Sequence, residues 1–364
     1  MKLDINAVGD ISLGDHPVCA GHGMRSVFER EGMNVFRAVA PEIKNADINL
    51  CNIETVASNI GFSRFWLPSF EMRGDPAQLS TVKNFGFNVF GVANNHAMQH
   101  GKEAFEDMVA RISKTGASLI GIDLGEGRTA VREFEHESGE TSAIFAVSIR
   151  PEEWTKDRPV PYSLRESTDS LLREVSELRQ RYSGFLVCSI HWGLEFLDYP
   201  APGQIELGRR LLDAGVDVVF GHHPHVLQPV ESYKNGLIFY SLGNFVFDLW
   251  PESTKLTAIA KVRLEKGLLP EYEIVPVKIC SDLKLRRPAD TDSKKILEMM
   301  SWRHFESLKN VPKTDLEYES LYKKARMDFR YSSYRYFLSN IPKYPFRFLV
   351  HSLARTGIRR LLGR

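Results

Sequence analysis

The chain is poor in cysteine and has no long apolar run, and both absences narrow what it can be. Its four cysteines, Cys19, Cys51, Cys188 and Cys280, stand without CxxC spacing. They read as buried free thiols and exclude a disulfide framework or a cysteine zinc cluster. No apolar stretch reaches the roughly 18 residues that a bilayer-spanning helix needs. Strand-like sequence begins at Leu3, which leaves no room for a secretory leader, so the expectation is a cytoplasmic protein. An excess of one charge is also lacking: 47 Lys and Arg against 46 Asp and Glu leave +1, which argues against nucleic acid as an electrostatic partner.

What the chain does have is histidine in one place. Gly221-His222-His223-Pro224-His225 packs three imidazoles into five residues, directly after the strand-like run Val216 to Phe220. Pro224 pushes His223 toward extended backbone. In an extended segment residues i and i+2 share a face, so His223 and His225 are expected to converge on one point while His222 faces elsewhere. An HxH pair at a strand end is metal-ligand spacing.

Other strand-like runs supply partners. Asp10 closes Leu3 to Gly9, Glu54 comes just after Asp47 to Cys51, Asn95 and His96 follow Asn88 to Ala93, and His191 comes just after Phe185 to Cys188. Singly each has a bland explanation: a turn acid, a turn former, a capped sheet-end imidazole. Together they deliver Asp, Glu, Asn and His to the C-terminal ends of strands, where α/β sheets place ligands. With imidazole, carboxylate and amide donors but no thiolate, the set suits Mn, Fe or Zn rather than copper or a cluster.

At 364 residues the chain is long for one domain, and one large domain with an appendage is as compatible with it as two. Helical periodicity is read at Asp75 to Phe85, Glu103 to Thr115, Asp169 to Tyr182 and Gly203 to Ala214. After His225 the texture is β-rich, with strands at Leu237 to Leu242, Lys255 to Glu265 and Tyr272 to Ile279, and a turn at Lys266-Gly267. This predicts an α/β core over 1–285 that gains antiparallel strands late, and a helical extension over 286–364. The proline-rich Arg150 to Pro161 reads as a surface connection.

The extension ends strongly basic. Up to Asp328 there are 39 Lys and Arg against 46 acids, a formal −7, and beyond it eight Lys and Arg with no acid. Between Phe346 and Leu362, Phe346, Leu349, Val350, Leu353, Ile358, Leu361 and Leu362 form an apolar face, while Arg347, His351, Arg355 and Arg359 recur every fourth residue. Two readings stay open: a helix lying on a membrane surface or against an envelope synthase, or one docked on its own domain.

Taken in order, Gly9-Asp10, Asn52-Ile53-Glu54, Ala93-Asn94-Asn95-His96, His191-Trp192-Gly193-Leu194-Glu195, Gly221 to His225 and Tyr240 to Asp248 resemble the CapA family. These are the poly-γ-glutamate capsule-synthesis proteins (PGA_cap) of the calcineurin-like metallophosphoesterase superfamily. The resemblance covers roughly residues 3–250. It implies an α/β fold, the calcineurin-like four-layer α/β/β/α sandwich, with two divalent metal ions. By similarity, Asp10 and His225 would hold the first ion, Asn95, His191 and His223 the second, and Glu54 would bridge them. Two positions depart from the family pattern, Gln99 where Asp is usual and Phe196 where Tyr is usual, and both are expected to tune the pocket.

Two cations roughly 3.5 to 4 Å apart neutralise the charge that builds on a phosphoryl oxygen. The resemblance therefore implies a metallophosphoesterase-like hydrolase in capsule or envelope-polymer biosynthesis, with an anionic small molecule or polymer as substrate. His96, beside Asn95, is read as the catalytic acid or transition-state stabiliser. Arg73 is read as an anion clamp or else a surface salt bridge, Glu195 as orienting His191 or a water, and His222 as a substrate contact at most. The alternatives are a non-catalytic assembly factor that binds an anionic polymer or a membrane synthase, and hydrolysis or transfer at an amide bond of polyglutamate.

Overall fold

Ala143, Phe145 and Val147 lie in one apolar layer, while Ile144 and Ala146, between them in sequence, lie in another. That split is the period-two signature of a strand buried on both faces. The computed structural model describes residues 1–361, with side chains described through 352 and at 354. It shows two sheets packed face to face.

Strands β1 (Lys2–Ile11), β2 (Ile48–Ile53), β3 (Val89–Gly91) and β4 (Ser118–Ile120) run parallel in the first sheet. The second sheet holds β5 (Val131–Glu135), β6 (Thr141–Ser148), β7 (Leu186–His191), β8 (Val218–His222), β9 (Val230–Tyr233) and β10 (Gly236–Phe239), in the order β5-β6-β7-β8-β10-β9. Its central strands are parallel and its edges antiparallel. The chain then returns to the first sheet with β11 (Asn244–Val246), β12 (Leu256–Glu265), β13 (Glu271–Ile279) and β14 (Leu285–Arg286). There β12 pairs antiparallel with β1 from Lys2 to Val8, and β11 pairs parallel with its end, Asp10 opposite Asn244.

Helices cover the outer faces. On the first sheet, α1 (Met24–Glu31), the single turn α2 (Leu67–Phe70), α3 (Gln78–Phe85) and α4 (Lys102–Lys114) run over residues 24–114; Phe28, Leu79, Val82, Phe105 and Met108 are buried in the shared core. On the second, α5 (Thr168–Arg181) and α6 (Pro202–Asp213) press Leu171, Val175 and Leu211 onto Phe145 and Val147. Ile144, Ala146, Val187, Val218 and Phe220 face inward and join the core of the first sheet. The result is the expected α/β/β/α order of layers.

The predicted helices stand within a residue or two, except that Asp75 to Ala77 form a turn, Asp75 accepting from the N–H groups of Ala77 and Gln78. The β5–β6 hairpin was not anticipated, because a short apolar run such as Ala143 to Val147 looks alike as strand or buried helix.

Beyond β14, α7 (Asp290–Met299) buries Ile296 in the core, α8 (Trp302–Ser307) stacks Trp302 on Tyr240, and α9 (Asp315–Ser339) and α10 (Phe346–Leu361) follow. In α10, Phe348 docks against Ala20, Leu67 and Phe70, with Arg347 over Phe65 and His351 against Trp66. Phe346 and Val350, read from the sequence as part of an apolar face, are exposed. Phe348, which is not on that apolar face, is buried together with Tyr344 just before the helix. Leu353, Arg355, Ile358, Arg359, Leu361 and Leu362 lie outside the described side chains.

Candidate metal centre

The C-terminal ends of the parallel strands of both sheets meet at one buried point. Asp10 is the penultimate residue of β1, Glu54 the first after β2, and His191 and His222 end β7 and β8. Asn95 and His96 sit in the turns after β3, and His223 and His225 in the bend after β8. Asp10 and Glu54 are completely buried. Gly221 makes room beneath: a Cβ there would lie 2.1 Å from the carbonyl oxygen of Tyr240, so only glycine fits.

The extended reading of the histidine motif does not hold. His223 and His225 have φ of 97° and 59°, the left-handed region that L residues avoid. The bend is held by the His223 N–H donating to Asp10 Oδ2 at 3.2 Å and the Phe196 N–H donating to the Pro224 carbonyl at 2.8 Å. Two such residues in three mark a conformation the surroundings impose. His222 also does not face away. As the last strand residue it turns inward, with Nδ1 3.1 Å from Asp10 Oδ1, and it orients that carboxylate instead of facing substrate.

Glu54 is the focus. Its Oε1 lies 3.6 Å from His225 Nε2, 3.7 Å from His191 Nε2 and 4.0 Å from His96 Nε2. Both its carboxylate oxygens are buried with no hydrogen-bond partner, as are both ring nitrogens of His223 and Nδ1 of His191. Unpartnered buried polar atoms cost about 1–3 kcal/mol each, and five of them at one point fit a bound cation. Donor atoms of Asp10, Glu54 and His225 lie within 4.8 Å of one another, as do those of Glu54, His191 and His223, and those of Glu195, His223 and His225. The first two groupings share Glu54. Asn95 joins the second, its Oδ1 2.8 Å from His191 Nε2.

The electrostatics suit metal ligation. Burial, helped by Asp10, pushes the Glu54 carboxyl well above its usual range, and burial pulls His191 and His223 well below theirs. Neutral imidazole is the ligating form. Burial also works against ionised Asp10, but His222, His225 and Asn52 outweigh it and hold that carboxyl low.

Outer contacts fix the ligands. Asn52 donates to Asp10 Oδ1 at 2.8 Å, and Asn244 Oδ1 meets His225 Nδ1 at 2.9 Å, leaving Nε2 for the site. His96 is placed likewise, with Nδ1 on Gln99 Oε1 at 2.8 Å and Nε2 toward Glu54. Burial lowers the His96 pKa, and the Gln99 contact only partly offsets this. The neutral Gln99 thus does the orienting, without the charge a carboxylate would lend.

Arg73 is neither clamp nor surface salt bridge. It is buried, and its guanidinium donates to the carbonyls of Ser69, Ser58 and Ile60. Glu195 is grouped with His223 and His225 rather than His191, and it accepts from Tyr322 at 3.3 Å. Three residues at the site were not singled out beforehand. Asn244 was visible in the Leu242-Gly243-Asn244 run without a role; His16, which lines the cleft, and Arg150, whose Nη1 donates to the Gly193 carbonyl, carry no sequence signal.

Residues 4–249 match the model of the bacterial capsule synthesis protein PGA_cap. The chain belongs to this family. The capsule biosynthesis protein CapA of Bacillus anthracis is 31% identical over 293 residues, covering 76% of this chain and 68% of that protein. The PGA biosynthesis protein CapA of Bacillus subtilis is 27% identical, with 76% and 72% covered. Among solved structures, the sulfate thiohydrolase SoxB of Thermus thermophilus in complex with glycerol aligns at 14% identity and a TM-score of 0.48, over 84% of this chain and 61% of that one. The PGA_cap match takes in every ligand named above and stops before α7.

Proposed function

We propose that this PGA_cap protein is a metal-dependent, phosphoesterase-like hydrolase acting in capsule or envelope-polymer biosynthesis. The observation that carries this reading is the buried, unpartnered Glu54 carboxylate ringed by imidazole nitrogens at 3.6 to 4.0 Å. Asp10 and His225 would hold one divalent ion of the Mn, Fe or Zn kind and Asn95, His191 and His223 a second, with Glu54 within reach of both groups. When bound, such ions supply Lewis-acid polarisation of a phosphoryl group. The chain's own part is positional. Asn52 and His222 fix Asp10, and Asn244 fixes His225. His96, held by Gln99 with Nε2 toward the site, is the group placed to exchange a proton with a leaving oxygen, a contribution of about 10²–10⁴-fold.

The basic end of the chain supports contact with an anionic membrane surface or an envelope synthase as a partner, on its charge alone; no described helix is long and apolar enough to cross a membrane. The test of the main reading is metal analysis of the purified protein with an assay on a phosphomonoester, a phosphodiester and poly-γ-glutamate. Metal-dependent cleavage of a phosphoester supports it. Cleavage of polyglutamate alone would replace it with amide chemistry, and full metal with no turnover would leave an assembly factor.

A further inference from the structure

The helix beyond the family match forms a wall of the metal cleft. Along α9, Tyr318, Tyr322, Ala325, Phe329, Ser332 and Tyr336 recur at alternating steps of four and three, one face of a helix. That face is fastened across the rim. Tyr318 donates to the Tyr199 carbonyl at 3.0 Å and Tyr322 to Glu195 at 3.3 Å. Phe329 stacks on Phe196 with centroids 4.3 Å apart and on Trp250 at 5.0 Å, and Tyr336 stacks on Trp250 at 4.8 Å.

Between this wall and the ligands lies a cleft of about 600 Å³, lined on one side by His96, Glu195 and His225 and on the other by Arg326, Phe329 and Arg330. Its floor is apolar, with Met72, Phe247 and Leu249. The volume greatly exceeds one phosphoryl group. Arg326 and Arg330 are one helical turn apart, about 6 Å along the axis, and neither has an ion-pair partner among the described residues. The Arg326 guanidinium is braced over the Tyr322 ring at 5.6 Å. Arginines left free of carboxylates at the mouth of a cleft are anion receptors.

We propose that α9 is the substrate-recognition wall, and that Arg326 and Arg330 bind a second anionic group of a substrate whose first anionic group sits at the metal ligands. The substrate is then polyanionic, its groups separated by an apolar spacer that lies on Met72, Phe247 and Leu249. The second group is a carboxylate or a phosphate, which guanidinium accepts alike. This rests on the metal-centre reading for the first group only.

The test is calorimetry of the full-length, metal-loaded protein with short alkylphosphonates, their ω-carboxy counterparts and their ω-phosphono counterparts. Non-hydrolysable probes keep binding separate from turnover. The added anionic group should tighten binding by about tenfold or more in the wild type. In the Arg326→Gln/Arg330→Gln double variant, with metal content unchanged, that advantage should shrink to within about twofold. The ω-carboxy and ω-phosphono series then tell which group is preferred. The charge-reversed pair, Arg326→Glu/Arg330→Glu, should favour ω-amino probes instead, a gain that misfolding does not produce. An advantage that is absent in the wild type, or that survives in the double variant, overturns the proposal. If simple alkylphosphonates fail to bind while ω-carboxy probes still bind through the arginines, the metal-centre reading fails and the recognition wall stands; if no probe binds, both fail.

Discussion

Glu54→Gln should move the stability of the metal-free and metal-loaded protein in opposite directions. In the metal-free protein, Glu54 presents two buried oxygens that accept nothing, facing imidazole nitrogens at 3.6 to 4.0 Å. Leaving such atoms unpaired costs about 1–3 kcal/mol. Burial raises the Glu54 carboxyl well above its usual range, so at neutral pH the folded metal-free protein takes up a proton there, a cost that the neutral amide avoids; the metal-free variant should gain about 1 kcal/mol, roughly 1 °C in melting temperature for a chain of this size. Metal should act the other way. An ion at about a hundredfold its Kd stabilises the wild type by about 2.7 kcal/mol, and loss of the shared carboxylate should remove most of that. Scanning calorimetry of both proteins, with and without Mn, reads both effects. A variant that loses metal-free stability like an ordinary core lesion and keeps the full metal-induced rise would refute the reasoning, since Glu54 would then be a structural acid.

His222→Ala should lower metal affinity about 10- to 100-fold, the usual effect of removing a residue that orients a ligand, checked by equilibrium dialysis; unchanged affinity would show that Asp10 needs no support from His222. His96→Ala should reduce turnover by about 10²–10⁴-fold while most of the metal stays bound, and Gln99→Ala should reduce it less; metal loss in His96→Ala as great as in His223→Ala would make His96 a ligand. The third concerns Asp248, which accepts from the N–H groups of His16 and Met24. Burial, reinforced by Asp15, raises its carboxyl from 3.8 to about 8. Between those values the folded state holds a proton that the unfolded state has lost, so stability falls as pH rises, by up to about 1.4 kcal/mol per pH unit. Denaturation of the metal-free protein across that window should show the decline, and Asp248→Asn should flatten it; parallel curves would place the proton elsewhere.

The layer order came with the family resemblance, while the meeting of Asp10, Glu54, Asn95, His191, His223 and His225 was legible because each residue lies at or just after the end of an apolar strand, and parallel strands must end side by side. The local geometry of Gly221 to His225 was not. The preference that proline imposes on its predecessor is weak against the pull of Asp10 on the His223 N–H, so an extended reading gave His222 the wrong direction. Arg73 was misread because a lone arginine in a loop carries no sign of whether carbonyls surround it. The role of α9 was hidden differently: its face is built from tyrosines, a phenylalanine and a serine among many charges, so the helix looks solvated unless the aromatic spacing is followed. Phe348 illustrates the same limit, since the side of α10 that docks is chosen by Ala20, Leu67 and Phe70, far away in the chain.

The most direct measurement is anomalous diffraction from crystals of the full chain equilibrated with Mn. Two peaks about 3.5 to 4 Å apart are predicted, one beside Asp10 and His225, the other beside Asn95, His191 and His223, with Glu54 touching both. A single peak that leaves Glu54 untouched, or none at this point, would contradict the account.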